Sequence, residues 1–345
     1  ITMTSASPQG YVRWAGLSFD KRAKVAACVI KNVRIGYGGR GYPWHETYCD
    51  GSVNIYNSSP RLEECEIHHS EQHGISMFRA SPTILSCTFH HNGSDDMRES
   101  FDIFGDTESN PAIRRCTFGE GPPYAIQVSA RAMGRLTSST FADPTRGCAI
   151  IGGEITANAT WNNQGASHYL VLGDIFVAGS ANPVLVLGAG LTLKFEERAG
   201  LYVGANGQRG ALQVNGGTVG VRFTRARETG EWAGLFFDQT CIYTSTQLVG
   251  AVIEYGGSGR GPEWHDKDWY GAVNIYHSNP TLLNGVISYA KEHGVLMEGA
   301  APTIRGNLLH SNGSQENHFD IACDVASMPI IESNQFGAAR GEQTY

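Results

Sequence analysis

The chain has 345 residues, a net charge of -7 and only 17% charged residues, and 43 of its residues are glycine. Few charges beside many apolar residues exclude intrinsic disorder, and a net negative charge offers no basic face for nucleic acid or an anionic membrane surface. No apolar run reaches the roughly 18 residues of a membrane span. We therefore expect a folded protein rich in turns, with no nucleic-acid partner and no membrane span.

A short motif that opens with proline recurs along the chain. It begins at Pro60, Pro82, Pro111, Pro280, Pro302 and Pro329. An aliphatic residue follows at the second place after the proline, cysteine, asparagine or glycine at the fifth, and an apolar residue at the seventh. A period of about 22 residues with apolar side chains two apart predicts the coils of a β-solenoid, whose inward side chains stack from coil to coil. Proline suits a strand start, where its missing N–H is not needed.

A longer repeat of about 220 residues contains the short one. Trp14-Ala15-Gly16-Leu17, for example, returns as Trp232-Ala233-Gly234-Leu235. Residues 1–124 match residues 221–345, and residues 125–220 form the rest of the repeated block. The chain thus carries an internal duplication.

We predict one continuous β-helix over residues 1–345. Ile1 and Tyr345 both fall part-way through the long repeat. Because an uncapped coil presents unpaired N–H and C=O groups, we expect the native β-helix to continue past both ends. It would do so as further copies in one chain or by end-to-end self-association into a filament.

The proline-initiated coils, of the form Pro-x-Ile-x-x-Asn/Cys-x-Phe, resemble the repeats of the right-handed parallel β-helix superfamily. Residues 191–204 and 221–235 resemble the module of secreted or surface β-helix proteins of bacteria and archaea. This resemblance covers nearly the whole chain and implies an all-β fold, a single-stranded right-handed parallel β-helix. The superfamily holds lyases, glycosidases, epimerases and adhesins, so the fold alone assigns no activity.

One column of the predicted solenoid carries cysteines in the first block and asparagines in the second. Cys65, Cys87 and Cys116 occupy it on successive coils, and Asn307 occupies it in the second block. We interpret the cysteines as small buried fillers, and expect Asn307 to bond the backbone of a turn. A disulfide or metal site is the alternative, since coils about 4.8 Å apart permit disulfide geometry. We expect no cofactor.

Candidate glycan-binding residues lie on one outward column and in the loop before it. Side chains alternate along a strand, so with Val53 and Ile75 inside we expect Asn54, Ser76 and Asp102 to face outward. The candidates are Trp44, His45, Asn54, Tyr56 and Asp102, and in the second block Trp264, His265, Asn274, Tyr276 and Asp320. Such side chains suit stacking on sugars and hydrogen bonding to hydroxyls. Alternatively, the tryptophans cover an apolar flank of the solenoid and the histidines bond loop carbonyls.

Acid–base candidates are few. Glycoside hydrolysis needs paired carboxylates about 5 to 9.5 Å apart, and Asp102 with Asp106, joined by His73, are the candidates if the protein is an enzyme. Asp106 falls in a turn, where capping of backbone N–H groups is the alternative.

Two further clusters are candidate metal sites. The acidic residues Asp95, Asp96 and Glu99 form a calcium candidate, with a solvated loop as the alternative. His68 and His90 fall at the same place on adjacent coils. We predict a stacked pair there rather than a zinc site, because a third ligand is missing.

The duplicated outward face favours multivalent binding or assembly, since one active site seldom needs a copy. We expect a secreted or cell-surface β-solenoid without enzyme activity. It would act as a filament unit or an adhesin-type protein that binds a polysaccharide or cell-surface glycan. The alternative is a polysaccharide lyase, epimerase or glycosidase acting on an extracellular glycan.

Overall fold

The computed structural model describes residues 1–5, 13–23, 28–41, 43–44, 47–48, 50–93, 99–262, 264–265, 267–313, 315 and 317–337. The chain divides into two compact units. Unit 1 is Ile1–Ile151 with Gln164–His168, and unit 2 is Gly152–Asn163 with Tyr169–Tyr345. Within the described ranges, no helix has the length and apolar character of a membrane span.

In its described residues, unit 1 is built from short strands and a short helix, α1, at Ala130–Met133. Its strands are β1 Thr2–Met3, β2 Leu17–Phe19, β3 Val29–Lys31, β4 Arg34–Gly36, β5 Pro43–Trp44, β6 Thr47–Tyr48, β7 Gly51–Tyr56, β8 Arg61–Glu63, β9 Glu66–His68, β10 His73–Phe78, β11 Thr83–Leu85, β12 Thr88–His90, β13 Ile103–Gly105, β14 Ala112–Arg114, β15 Thr117–Phe118, β16 Tyr124–Val128, β17 Leu136–Thr137, β18 Thr140–Phe141 and β19 Gly147–Ile150.

Unit 2 is also built from short strands, and it has a 3-10 turn at Tyr243–Ser245. Its strands are β20 Gly153–Ile155, β21 Ala159–Trp161, β22 Tyr169–Val171, β23 Ile175–Val177, β24 Val184–Gly188, β25 Thr192–Phe195, β26 Gly200–Val203, β27 Ala211–Asn215, β28 Val221–Arg225, β29 Gly234–Phe237, β30 Gln247–Val249, β31 Ala251–Glu254, β32 Gly271–Tyr276, β33 Thr281–Leu283, β34 Val286–Ser288, β35 His293–Glu298, β36 Thr303–Arg305, β37 Leu308–His310, β38 Ile321–Cys323, β39 Ile330–Glu332 and β40 Gln335–Phe336.

Each unit contains three parallel sheets. In unit 1 the strand orders are β1-β4-β9-β12-β15-β18, β2-β7-β10-β13-β16-β19 and β17-β14-β11-β8-β3. In unit 2 they are β22-β25-β28-β31-β34-β37-β40, β20-β23-β26-β29-β32-β35-β38 and β21-β24-β27-β30-β33-β36-β39. Consecutive strands such as β10, β11 and β12 enter three different sheets, and β13 then pairs with β10. Three strands therefore make one coil, and the predicted β-solenoid is confirmed.

The core of each unit lies between its three sheets. On one inner column of unit 1, Ile67, Phe89, Phe118 and Phe141 pair in register on successive coils. The Phe89 and Phe118 rings stack with centroids 5.4 Å apart. Each such side chain contributes roughly 1.5–3 kcal/mol through burial. The apolar positions of the proline motif thus point inward, as the sequence predicted.

The cysteine and asparagine column is also internal. Cys65, Cys87 and Cys116 are free thiols with 2%, 1% and 1% exposure, which agrees with buried fillers rather than a disulfide. In the second block, Asn307 accepts from Gly285 N at 2.8 Å and donates to Leu282 O at 3.0 Å. The prediction that asparagine bonds the backbone at this position is confirmed.

The side chains predicted to point outward, those of Asn54, Ser76 and Asp102, are covered and not open to solvent. Their exposed fractions are 2%, 1% and 0%. The amide of Asn54 closes a local turn, accepting from Gly51 N at 2.9 Å and donating to Gly51 O at 2.7 Å. Alternation of side chains sets the side of the sheet but does not show whether other segments cover it. Asn54 thus serves the backbone, whereas Asp102 contacts the side chains of Arg146 and Asn92. Phe104, and not Asp102, pairs in register with Ser76.

Candidate functional site

Trp264 and Trp269, from the described part of the loop before β32, lie over the outer face of one sheet in unit 2. Tyr202, Phe236 and Trp269 form a buried cluster there, with exposures of 2%, 2% and 1%. The Phe236 and Trp269 rings meet edge to face with centroids 5.1 Å apart. Trp264, from the same loop, packs against the cluster and is partly buried. This arrangement agrees with the alternative interpretation, in which Trp264 covers an apolar flank of the solenoid.

Beside this loop, unit 2 contains a cavity of about 770 Å³. One part of its lining is aromatic: Phe176, Tyr202 and Trp264. Phe176 and Tyr202 lie in register on adjacent strands, so their rings stack with centroids 5.2 Å apart. Trp264 then packs 5.9 Å from Phe176 at a tilt of 59°. The stacking of coils therefore places the rings, and the loop adds the indole.

The rest of the lining is polar and carries charge. Asp174 Oδ2 forms an ion pair with Arg260 Nη2 at 3.0 Å, and Asp174 Oδ1 accepts from Gly200 N at 2.9 Å. Glu154 is exposed at the outer end of the same column as Phe176. Neutral polar groups are supplied by Thr156, Asn206 and Gln208. Hydrogen-bond donors and acceptors thus surround an aromatic wall.

His265 is anchored next to this cavity wall rather than free. Its Nε2 lies 2.9 Å from Asp238 Oδ1, and Asp238 is 2% exposed. The Asp238 Oδ2 atom accepts from the Thr240 hydroxyl at 2.7 Å. The Tyr276 ring packs across the imidazole with centroids 4.4 Å apart. The alternative interpretation, that His265 bonds a loop carbonyl, is wrong, because its partner is a buried carboxylate.

The remaining predicted glycan-binding residues do not join this cavity. Asn274 is 2% exposed and repeats the contacts of Asn54, accepting from Gly271 N at 2.9 Å. Tyr56 is buried, and Asp320 accepts from Asn312 Nδ2 at 2.7 Å. The side chains of Trp44 and His45 lie outside the described residues.

The acid–base candidates are engaged in structural contacts. Asp102 Oδ2 lies 2.9 Å from Arg146 Nη1, with side-chain exposures of 0% and 1%. Burial raises the pKa of Asp102, although Arg146 and Asn92 oppose the shift. The Asp102 Oδ1 atom accepts from Asn92 Nδ2 at 2.8 Å. A wholly enclosed carboxylate cannot reach a polymer, so Asp102 stabilises the fold.

Asp106 and His73 are likewise committed to the backbone. Asp106 accepts from Arg79 N at 3.1 Å and from Ser109 N at 2.9 Å, which is the predicted capping role. His73 Nδ1 accepts from Phe101 N at 3.2 Å. Burial lowers the pKa of His73 to about 4. The structure therefore does not assemble these residues with Asp102 into an open acid–base site.

The calcium candidate falls largely on residues that the structure does not describe. Asp95 and Asp96 lie outside the described residues, and Glu99 is exposed. The calcium hypothesis stays a prediction.

Sequence reasoning missed most of the cavity lining. Glu154, Asp174 and Gln208 fall in residues 125–220, which have no second copy in the chain, so the long repeat could not highlight them. Arg260 carried a usable signal, because Gly-Arg-Gly recurs in the first block with Arg40 at its centre. The lining residues are far apart in the sequence and are brought together by stacked coils and a long loop, so no local sequence motif contains them.

Stacked parallel strands arranged as three-sided coils define the protein as a parallel β-helix. Residues 16–180 match a family model described as a right handed beta helix region. The strand arrangement and this match agree on a right-handed parallel β-helix fold. No curated protein and no solved structure matches the chain. The glycan partner, the extracellular location, the continuous helix and the end-to-end association stay predictions.

Proposed function

We propose that the unit 2 cavity binds a neutral glycan, and that the protein is a secreted or cell-surface β-helix that acts by binding rather than catalysis. The observation that carries the proposal is the cavity of about 770 Å³ with the rings of Phe176, Tyr202 and Trp264 beside polar side chains. Ligand sites of roughly 300–1,000 Å³ combine apolar walls with a few placed polar groups. Sugars meet both requirements, since they offer C–H faces for stacking and hydroxyls for hydrogen bonds.

The charges of the cavity favour a neutral ligand over a polyuronate. Arg260 is the cation among its described lining residues, and Asp174 pairs with it at 3.0 Å. Glu154 has no ion-pair partner among the described residues, so the lining keeps a negative charge. A carboxylated polymer would meet that charge without a free guanidinium to receive it.

The proposal of binding without catalysis rests on the state of Asp174. One of its oxygens accepts from Gly200 N at 2.9 Å and the other pairs with Arg260 at 3.0 Å. A general acid must instead reach the leaving-group oxygen of the substrate. Glu154 and Asp174 are nevertheless two carboxylates in one cavity, so a glycosidase is the second candidate.

A glycan-array screen followed by calorimetry tests this function. Neutral oligosaccharides should bind, and Trp264→Ala should weaken their binding about tenfold or more, a loss of ~1.4 kcal/mol. The matched control is Tyr243→Ala, which removes a ring that is 46% exposed and outside the cavity lining. It should bind as the unmodified protein does. Circular dichroism should show unchanged strand content in both variants.

Three results would count against the proposal. Preference for polyuronates would contradict the expectation that the negatively charged lining selects a neutral glycan. An equal loss of binding in Tyr243→Ala would show that the cavity is not the binding site. Release of reducing ends that disappears in Glu154→Gln would establish the glycosidase instead. Glu154→Gln is a mild change, because Glu154 is exposed and the amide keeps its shape.

A further inference from the structure

Four histidines meet in unit 1, one of them buried (His68) and the others more exposed. Strands β9 and β12 end at His68 and His90, which pair in register. His69 and His91 follow in the left-handed region, with φ of 52° and 54°. This turn keeps successive side chains on one side, whereas extended strand would send them apart. We call these four residues the histidine quartet.

The quartet forms two stacked layers. The rings of His68 and His90 lie 5.3 Å apart at 6°, and those of His69 and His91 lie 5.0 Å apart at 13°. His69, His90 and His91 offer ring nitrogens that all lie within 4.8 Å of one another. A third ligand near His68 and His90, which the sequence pattern did not indicate, is therefore present, because the neighbouring residues supply imidazoles.

Two glutamates set which nitrogen of each ring faces its neighbour. His90 Nε2 lies 3.0 Å from Glu66 Oε1, and His91 Nε2 lies 3.1 Å from Glu120 Oε2. An ionised carboxylate only accepts hydrogen bonds, so each neutral ring must carry its proton on Nε2. Both Nδ1 atoms then present lone pairs, and they face each other across 3.0 Å. Two lone pairs at that distance repel unless a cation lies against them.

We propose that His69, His90 and His91 bind one divalent transition-metal ion, for which Zn²⁺ is the reference. Imidazole nitrogens suit Zn²⁺, Ni²⁺ and Cu²⁺ but not Ca²⁺ or Mg²⁺. Nitrogens bound at ~2.1 Å in a tetrahedral site lie about 3.4 Å apart. The His90–His91 separation is 3.0 Å, so a small ring rotation reaches that geometry. The third ligand nitrogen, which lies within 4.8 Å of the other two, moves inward by up to about 1.4 Å, and a water completes the site.

The glutamates give the site the support that metal-bound histidines normally have. A ligating imidazole usually donates its other N–H to a carboxylate, which orients the ring and raises its basicity. Glu66 and Glu120 stand in that relation to His90 and His91. The same carboxylates also reduce the net charge of a loaded site.

The second block of the chain shows what the same coils look like without the quartet. Ser288, Tyr289, His310 and Ser311 take the four positions there. Ser288 and His310 pair in the same register, and Tyr289 and Ser311 keep φ of 57° and 56°. The backbone therefore accepts serine and tyrosine at these places. The block supplies substitutions that remove the ligands with little risk to folding.

Tag-free protein, stripped with a chelator, should be titrated with Zn²⁺ by calorimetry, with Co²⁺ absorption as a second readout. We expect about one Zn²⁺ per chain, and visible Co²⁺ bands typical of nitrogen ligands. The double variant His69→Tyr with His91→Ser should lose this binding. The variant Glu66→Gln should weaken it about 10–100-fold. The control His310→Ser, in the second block, should bind Zn²⁺ as the unmodified protein does.

Two outcomes would overturn the proposal. One is Zn²⁺ binding that is as strong in the double variant as in the unmodified protein, since the quartet would then not be the site. The other is absence of Zn²⁺ and Co²⁺ binding to a protein with normal circular dichroism. In that case a proton, and not a metal, lies between the two facing nitrogens.

Discussion

The buried ion pair between Asp102 and Arg146 provides the sharpest test of the fold. The two side chains are 0% and 1% exposed, and they meet at 2.9 Å. Arg146 also donates to Pro122 O at 2.7 Å and to Gly119 O at 2.6 Å. Removing one partner of such a pair leaves an uncompensated buried charge and costs about 3–5 kcal/mol. We therefore expect Arg146→Met, which keeps most of the volume, to destabilise the protein by that amount.

Urea unfolding followed by far-ultraviolet circular dichroism measures this loss, because that signal reports strands throughout the chain. The double variant Arg146→Met with Asp102→Asn should recover part of the stability, since it removes both charges. The control is Arg227→Met, which breaks an exposed ion pair with Glu196 of 2.8 Å. It should not shift the unfolding midpoint measurably, because exposed pairs contribute little.

The pH dependence of the loss gives an independent check. Burial raises the pKa of Asp102, and Arg146 opposes the shift, so Arg146→Met raises it further. A carboxyl group with a raised pKa in the folded state contributes its stability at low pH and loses it as pH rises. The penalty of Arg146→Met should therefore be smaller at about pH 4 than at about pH 7. A penalty that grows on acidification, or matches that of Arg227→Met, would refute a buried pair.

Three further predictions concern a histidine, the thiols and a glycine. Because burial lowers the pKa of His73 to about 4 from 6.5, the unfolded chain binds a proton that the folded state excludes, and stability falls across that interval on acidification. His73→Asn should reduce this fall by up to about 3 kcal/mol, whereas the exposed control His277→Asn should not. Native protein should react with a thiol reagent at Cys323, which is exposed, but not at the buried thiols until the protein unfolds. The buried thiols are Cys65, Cys87, Cys116, Cys148 and Cys241. Labelling of a buried thiol in the native protein, found by peptide mapping, would contradict the strand register. Gly210→Ala should cost about 1–3 kcal/mol, since its Cβ would lie 1.8 Å from a backbone oxygen, while Gly41→Ala meets open space and should be neutral in the same urea assay.

The interior of the protein was predictable because one rule governs it. An inward position must be apolar, or must satisfy its own polar groups, on every coil. The sequence therefore repeats an aliphatic residue such as Ile84 and an apolar residue such as Phe89 at fixed places of each coil. The position between them accepts either cysteine, as at Cys87, or asparagine, as at Asn307. Each of these positions is buried as expected.

The surface was harder to predict, because coverage depends on segments distant in the chain. Whether Asn54 faces solvent depends on other segments packing over its sheet, as at the 3.4 Å contact of its amide with Ala15 O. The contact between Arg260 and Asp174 joins residues far apart in sequence, and the quartet needs left-handed turns at His69 and His91. Hydrophobic periodicity carries no information on loops or on such turns.

Asn54 and Asn274 recur in the two blocks for a structural reason. Each closes the same turn, on Gly51 and Gly271. Their repetition therefore does not favour multivalent binding, contrary to the expectation from the sequence. Both copies are 2% exposed. Repetition at those positions reflects the folding of the coil.

Parts of both candidate sites lie where the blocks differ or where no second copy exists, although the cavity residues Arg260 and Trp264 repeat Arg40 and Trp44. The cavity lining includes Glu154 and Asp174, from residues 125–220, and the histidine quartet becomes serine and tyrosine in the second block. Any function duplicated with the coil would have to use side chains that both copies expose. The repeated residues Asn54 and Asn274 are buried, so they do not meet this condition. In a repeat fold, a match between equivalent positions is therefore a guide to function only where the side chain is not already used to build the coil.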